Sequence, residues 1–184
     1  MGKITLVTGG GRSGKSCFAE KLASRGVEVV YVATSIVFDE EMEDRVRIHK
    51  RRRPSNWKTI EKYKKFTKQD FEGITDNDVI MVDCLTLMIN NLFFDEGCDY
   101  NTISMTEYND IESRIFKEID QLSVVLKESK GSAVIVTNEV GSGIIPENRF
   151  ARLYRDTVGR ANIKIAGYSN EVFLVVCGLP VKVK

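Results

Sequence analysis

The chain has 184 residues, 42% of them apolar, and only three prolines; this predicts one folded domain over residues 1–184 and excludes a disordered chain. Its 27 Lys and Arg against 26 Asp and Glu leave a net charge of +1, so no global field favours nucleic acid or an anionic membrane, and any anion site must be local. No apolar run approaches the roughly 18 residues of a membrane span, and the first residues lack the apolar core of a signal peptide, so a soluble, cytoplasmic protein is expected.

Strands are predicted at 4–8, 28–33, 79–83, 133–137 and 171–176, with a short edge strand at 180–184, antiparallel if it returns after Gly178. Helical stretches alternate with them, the pattern of an α/β domain: a mostly parallel sheet flanked by helices. Four cysteines stand at 17, 84, 98 and 177 without a C-x-x-C pair, and His49 is the single histidine. That is too few closely spaced ligands for a zinc site; buried, reduced thiols are expected.

Directly after the first strand comes Gly9-Gly10-Gly11-Arg12-Ser13-Gly14-Lys15-Ser16, a complete G-x-x-x-x-G-K-[ST]. Glycines let such a loop turn its backbone N–H groups inward around phosphate oxygens, and the following helix adds the positive end of its dipole. Lys15 is placed to reach the β- and γ-phosphates and Ser16 to ligate Mg²⁺. A chance glycine-rich turn would need neither the preceding strand nor the following helix.

The strand at 28–33 leads to Ala33, Thr34 and Ser35, then to a charged stretch, 39–53, that predicts a helix. Acids crowd its start, bases its end, and Pro54 stops it. Read as structure alone, it is a solvated helix whose Met42, Val46 and His49 share one face. Read as chemistry, Lys50, Arg51, Arg52 and Arg53 form a phosphate site, and His49 is a nucleophile usable at neutral pH. Spacing leaves both readings standing.

Further on, Thr67-Lys68-Gln69-Asp70 and Asp70-Phe71-Glu72-Gly73 formally match GTPase motifs. They overlap, occur in the wrong order and follow no buried strand, so a GTPase switch is not indicated. Val79 to Asp83 is an apolar strand ending in a carboxylate, the expected metal-organising partner of a P-loop, with capping of the next helix a second role Asp83 could fill. Ile111, Ile115, Ile119, Leu122 and Leu126 make an amphipathic helical stripe, read as core. Asn138, Glu139, Asn148 and Arg149 follow a strand end, where open α/β sheets bind ligands. They are candidates to orient substrate, with structural capping of the helix predicted over 147–166 by Pro146-Glu147-Asn148 an equal alternative.

Several stretches together carry a family resemblance: V-T-G-G-G-R-S-G-K-S (7–16), Y-V-A-T-S (31–35), D-E-E-M (39–42), R-V-R-I-H-K-R-R-R-P (45–54), W-K-T-I-E (57–61), D-C-L-T (83–86) and V-T-N-E-V-G-S-G-I-I-P-E-N-R (136–149). Over essentially its whole length the chain resembles the bifunctional adenosylcobinamide kinase / adenosylcobinamide-phosphate guanylyltransferases. That resemblance implies a RecA-like P-loop fold, a homotrimer, ATP and GTP as substrates with Mg²⁺ bound by Ser16 and Asp83, and a corrinoid as the other substrate. It implies a guanylylated histidine at His49, with Lys15 serving catalysis. It also implies nucleotide contacts by residues 9–16, Ala33, Thr34, Ser35, Lys50 to Arg53, Glu61 and Asp83. Three positions depart from the family pattern: Gly11 stands where alanine is common, Ile48 where some members carry a second histidine, and Asp83 where some have glutamate. A small-molecule kinase without guanylyl transfer, or a GTP-binding switch, are the alternatives to be excluded.

Overall fold

A computed structural model describes residues 2–36 and 54–184. The predicted helix at 39–53, with His49 and Lys50 to Arg53, lies outside the described residues.

The described residues form a seven-stranded sheet in the order β3-β2-β4-β5-β1-β6-β7. The strands are β1 (Ile4–Thr8), β2 (Val29–Ala33), β3 (Lys58–Glu61), β4 (Val79–Asp83), β5 (Ser132–Val136), β6 (Glu171–Val176) and β7 (Leu179–Lys182). Every pairing is parallel except β6 with β7, so the C-terminal edge strand is antiparallel, as its turn after Gly178 predicts. Parallel neighbours put the C-terminal ends of β1 to β6 along one edge of the sheet. Ligands bind at that edge in open α/β folds.

Central strands are buried on both faces, which explains their unbroken apolar runs. One face carries α1 (Lys15–Ala23), whose Ala19 and Ala23 pack with Val7, Tyr31, Met81 and Val134. The other carries α2 (Leu85–Asp95), α3 (Met105–Glu128) and α4 (Arg149–Tyr168) over Leu6, Val32, Ile80, Val82 and Ile135. All five residues of the predicted stripe on α3 are buried. Ser104 and Glu107 close a capping box at its start, an arrangement that contributes about 1 kcal/mol.

Two features differ from the reading above, and the strand order adds a third that it left open. Strand β3 emerges from a segment with exposed residues at three of four positions; pairing with β2 makes it a strand, not an apolar pattern. Strand β5 separates β4 from β1, so Asp83 stands two strands from the P-loop strand. Of the four thiols expected to be buried, only Cys84 is; Cys17 and Cys177 are exposed, Cys98 is half-buried, and all are free.

Candidate functional site

The loop between β1 and α1 takes its shape from its glycines. Gly14, the residue before α1, has φ 94° and Gly9 has φ 156°. A Cβ on Gly9 would sit 2.5 Å from the Val175 carbonyl oxygen, and one on Gly14 3.0 Å from Gly178 Cα. Neither position admits another residue without a backbone shift. Nothing lies within 4 Å of a Cβ on Gly10 or Gly11, so an alanine at either position would meet no neighbour. Arg12 is also left-handed, φ 57°.

Three carbonyls of this loop are held by donors. Gly9 O accepts from Glu139 N–H at 3.0 Å, Ser13 O from Gly178 N–H at 2.8 Å, and Gly10 O from Lys15 Nζ at 2.9 Å. In a trans peptide the next N–H points opposite to the carbonyl. Fixing these oxygens therefore sets the direction of the Gly10, Gly11 and Gly14 N–H groups, each opposite to the carbonyl before it. Such a set of oriented donors at a helix N-terminus is an anion cradle.

Lys15 is buried, with 8% of its surface exposed. Burial lowers its pKa, and the charge of the Asp83 carboxylate opposes that shift. The carboxylate at the end of β4 thus lies within electrostatic reach of the P-loop lysine although β5 intervenes. Tyr31 Oη donates to Asp83 Oδ2 at 2.8 Å, fixing the carboxylate from β2. Cys84, beside it, is pushed up to about 11 by burial and by the charge of Asp83; it is a neutral core thiol and no nucleophile.

The ends of the outer strands meet here too. Ala33 is in register with both Glu61 on β3 and Asp83 on β4. The Thr34 hydroxyl donates to Cys84 O and accepts from Cys84 N–H, both at 2.8 Å, and Asn91 Nδ2 donates to Thr34 O at 2.6 Å. Thr34 is 1% exposed, so its side chain ties β2 to β4. Ser35, half-buried, and Glu61, exposed, stand where a ligand can reach them. The Ser16 hydroxyl lies in the first turn of α1.

The candidates after β5 sort by contact. Asn138 Nδ2 donates to Thr86 Oγ1 at 2.6 Å, and Asn162 Nδ2 to Asn138 O at 3.0 Å. Asn148 caps α4 through Ala151 N–H, while Arg149 donates to Tyr100 O and Ile103 O at 2.6 and 2.8 Å. The capping reading is borne out for Asn148, while Arg149 ties the start of α4 to the segment 100–103. Glu139 stays at the rim, its backbone on Gly9 and its carboxylate on Gly141 N–H. Sequence reasoning missed Tyr31 as the holder of Asp83 and the β6–β7 turn as a neighbour of the P-loop. The second left no signal, because the contact joins residues more than 160 positions apart.

A parallel sheet whose first strand runs into this cradle, with a buried lysine and a strand-end carboxylate beside it, defines a P-loop nucleotide-binding protein. A family model described as cobinamide kinase / cobinamide phosphate guanyltransferase matches residues 5–183, and the chain belongs to that family. It is 42% identical over 181 residues to the bifunctional adenosylcobalamin biosynthesis protein CobU of Escherichia coli K12, covering 98% of this chain and 99% of that protein. Identity and coverage are the same for the protein of that name from Salmonella typhimurium LT2. CobP of Pseudomonas aeruginosa, another bifunctional adenosylcobalamin biosynthesis protein, is 34% identical over 97% of this chain and 96% of its own length. A solved structure from Pyrococcus horikoshii OT3 superposes with a TM-score of 0.55 at 10% identity, over 99% of this chain and 86% of that one; it supports the fold alone. Among the described residues no helix is long and apolar enough to cross a membrane.

Proposed function

We propose that this chain performs two successive transfers at the P-loop. In the first, the aminopropanol hydroxyl of adenosylcobinamide attacks the γ-phosphorus of ATP or GTP; its proton is lost and the nucleoside diphosphate leaves. In the second, an imidazole nitrogen of His49 attacks the α-phosphorus of GTP, and the bond to pyrophosphate breaks. A phosphate oxygen of adenosylcobinamide phosphate then displaces the imidazole, giving adenosyl-GDP-cobinamide and free His49. The route divides one displacement between two anions into two steps, the first with a neutral nucleophile. The observation that carries the reading is the buried Lys15 held against the P-loop within electrostatic reach of Asp83.

Each residue has a physical task. Lys15 and the inward N–H groups neutralise and orient the triphosphate, the chief means of accelerating phosphoryl transfer. Lys50, Arg51, Arg52 and Arg53 carry charge beside His49 in sequence, suited to the α-phosphate and the leaving pyrophosphate. Ala33, Ser35 and Glu61 belong to the rim that receives the nucleoside. Ser16 and Asp83 offer one hydroxyl and one carboxylate, the sparse oxygen set that suits Mg²⁺ when phosphates and water complete its shell. When bound, the ion would offset the charge that develops on the phosphates. The same reading takes residues 1–184 as one cytoplasmic domain working as a homotrimer; the family resemblance supports the trimer.

Incubation with adenosylcobinamide, Mg²⁺ and GTP, followed by mass analysis of the corrinoid, tests the function. The account expects the added mass of a phosphate and then of a GMP unit. A product that stops at the phosphate makes the chain a kinase alone, and an unchanged corrinoid with tight GTP binding favours a switch.

Asp83→Asn tests the metal assignment. Asparagine keeps the shape and can still accept from Tyr31, so the melting temperature should move only a few degrees. Turnover at limiting Mg²⁺ should fall by about 10- to 100-fold and recover in part at high Mg²⁺. A variant that melts far lower yet keeps full specific activity while folded makes Asp83 a structural residue, its task the bond from Tyr31.

A further inference from the structure

The C-terminal hairpin touches the P-loop at three points. Val176 pairs with Leu179, leaving Cys177 and Gly178 as a two-residue turn with φ 51° and 80°, the geometry of a type I′ hairpin. At its tip Gly178 N–H donates to Ser13 O at 2.8 Å. Gly14 approaches Gly178 so closely that its Cβ would lie 3.0 Å from Gly178 Cα, and Gly9 lies against the Val175 carbonyl. Behind the tip, Phe173 on β6 meets Phe18 on α1 edge to face, 5.2 Å between centroids. Glu171 at the hairpin's base bonds Lys3 and Lys182, both at 2.8 Å.

We propose that the Cys177–Gly178 turn is a brace for the P-loop and that Gly178 is a positioning residue for the triphosphate. The inference rests on the P-loop being the triphosphate site. Its mechanism is the orientation of one peptide plane. Holding Ser13 O toward the hairpin turns the Gly14 N–H away from it, so the loop offers the phosphate a donor and not a carbonyl oxygen. An inverted plane would set a negative dipole end against an anion. Gly9 and Gly14 are then glycine for the hairpin's sake as well as for the loop's own turn, while Gly10 and Gly11 face open space.

The donor can be deleted without changing any side chain. Ligation at Cys177 of a synthetic segment 177–184 to residues 1–176 allows Gly178 to be replaced by glycolic acid, an ester in place of its N–H. The ester chain is expected to bind GTP about 3- to 10-fold more weakly than the ligated all-amide chain. KM for GTP should rise with it, and KM for the corrinoid should stay unchanged. Gly178→Val, whose β-branched side chain resists the positive φ of this turn, should lose at least about tenfold in GTP affinity. Lys15→Ala separates the brace from the P-loop reading. If that variant binds GTP normally, the P-loop reading falls and the brace with it. If Lys15→Ala loses affinity while the ester chain binds GTP and turns over as the amide chain does, the brace alone is overturned.

Discussion

Lys15→Ala is expected to lower both the kinase and the guanylyl-transfer rate by at least about 100-fold while leaving the chain folded. Both reactions need the triphosphate placed and its developing charge offset, and removing one donor aimed at such charge typically costs two to three orders of magnitude. Lys15 is the one P-loop residue whose ammonium is both buried and held to a loop carbonyl, Gly10 O at 2.9 Å. Its loss removes the positive charge opposite Asp83 and leaves Gly10 O with the Ser13 N–H as its donor. Equilibrium dialysis with GTP, together with both product assays, checks the expectation. Because the two activities share this loop, they should fall together. Wild-type turnover in either reaction would remove that reaction from the P-loop.

How much of this was legible depends on where the physics is written. A phosphate cradle imposes backbone demands at fixed spacing, so Gly9, Gly14, Lys15 and Ser16 identify it from the residues alone. Strands such as Val79–Asp83 are legible because burial on both faces demands an unbroken apolar run. Strand β3 is not, since Lys58–Glu61 is mostly exposed and takes its extended form from pairing with β2. The helix Leu85–Asp95 carries apolar residues on most sides, seven of its eleven positions being buried, and so shows no stripe to read. Roles that depend on distant contacts were out of reach altogether. Tyr31 holds Asp83 across 52 positions, and the family stretch containing Tyr31 gave no hint of that bond. Thr34 was expected at the nucleotide; that its hydroxyl also closes two bonds with the Cys84 backbone was not readable from spacing. That β5 lies between the P-loop strand and the Asp83 strand was not readable either, because sheet order follows from crossover connections, which residue patterns do not encode.

His49→Ala carries the second large effect. The residue lies outside the described residues, so its case rests on chemistry and family. It is the single imidazole of the chain and is set among Arg47, Lys50, Arg51, Arg52 and Arg53. A neutral imidazole attacks phosphorus at physiological pH, and neighbouring cations favour the triphosphate it must approach. Alanine should lower guanylyl transfer by at least about 1000-fold, since a covalent route without its nucleophile has no substitute step. The kinase step should persist largely intact, because Lys15, Ser16 and Asp83 remain and that transfer goes directly to the substrate hydroxyl. Loss of all nucleotide binding in this variant would instead make His49 a structural residue of its segment.

The most direct measurement is to incubate the protein with Mg²⁺ and GTP labelled at the α-phosphate, then isolate the protein and map the label. The account predicts a GMP unit on the peptide containing His49, with pyrophosphate released, a bond labile in acid and stable in alkali, and no labelling of His49→Ala. Label that survives acid and maps to a lysine, or that persists in the alanine variant, contradicts the histidine mechanism.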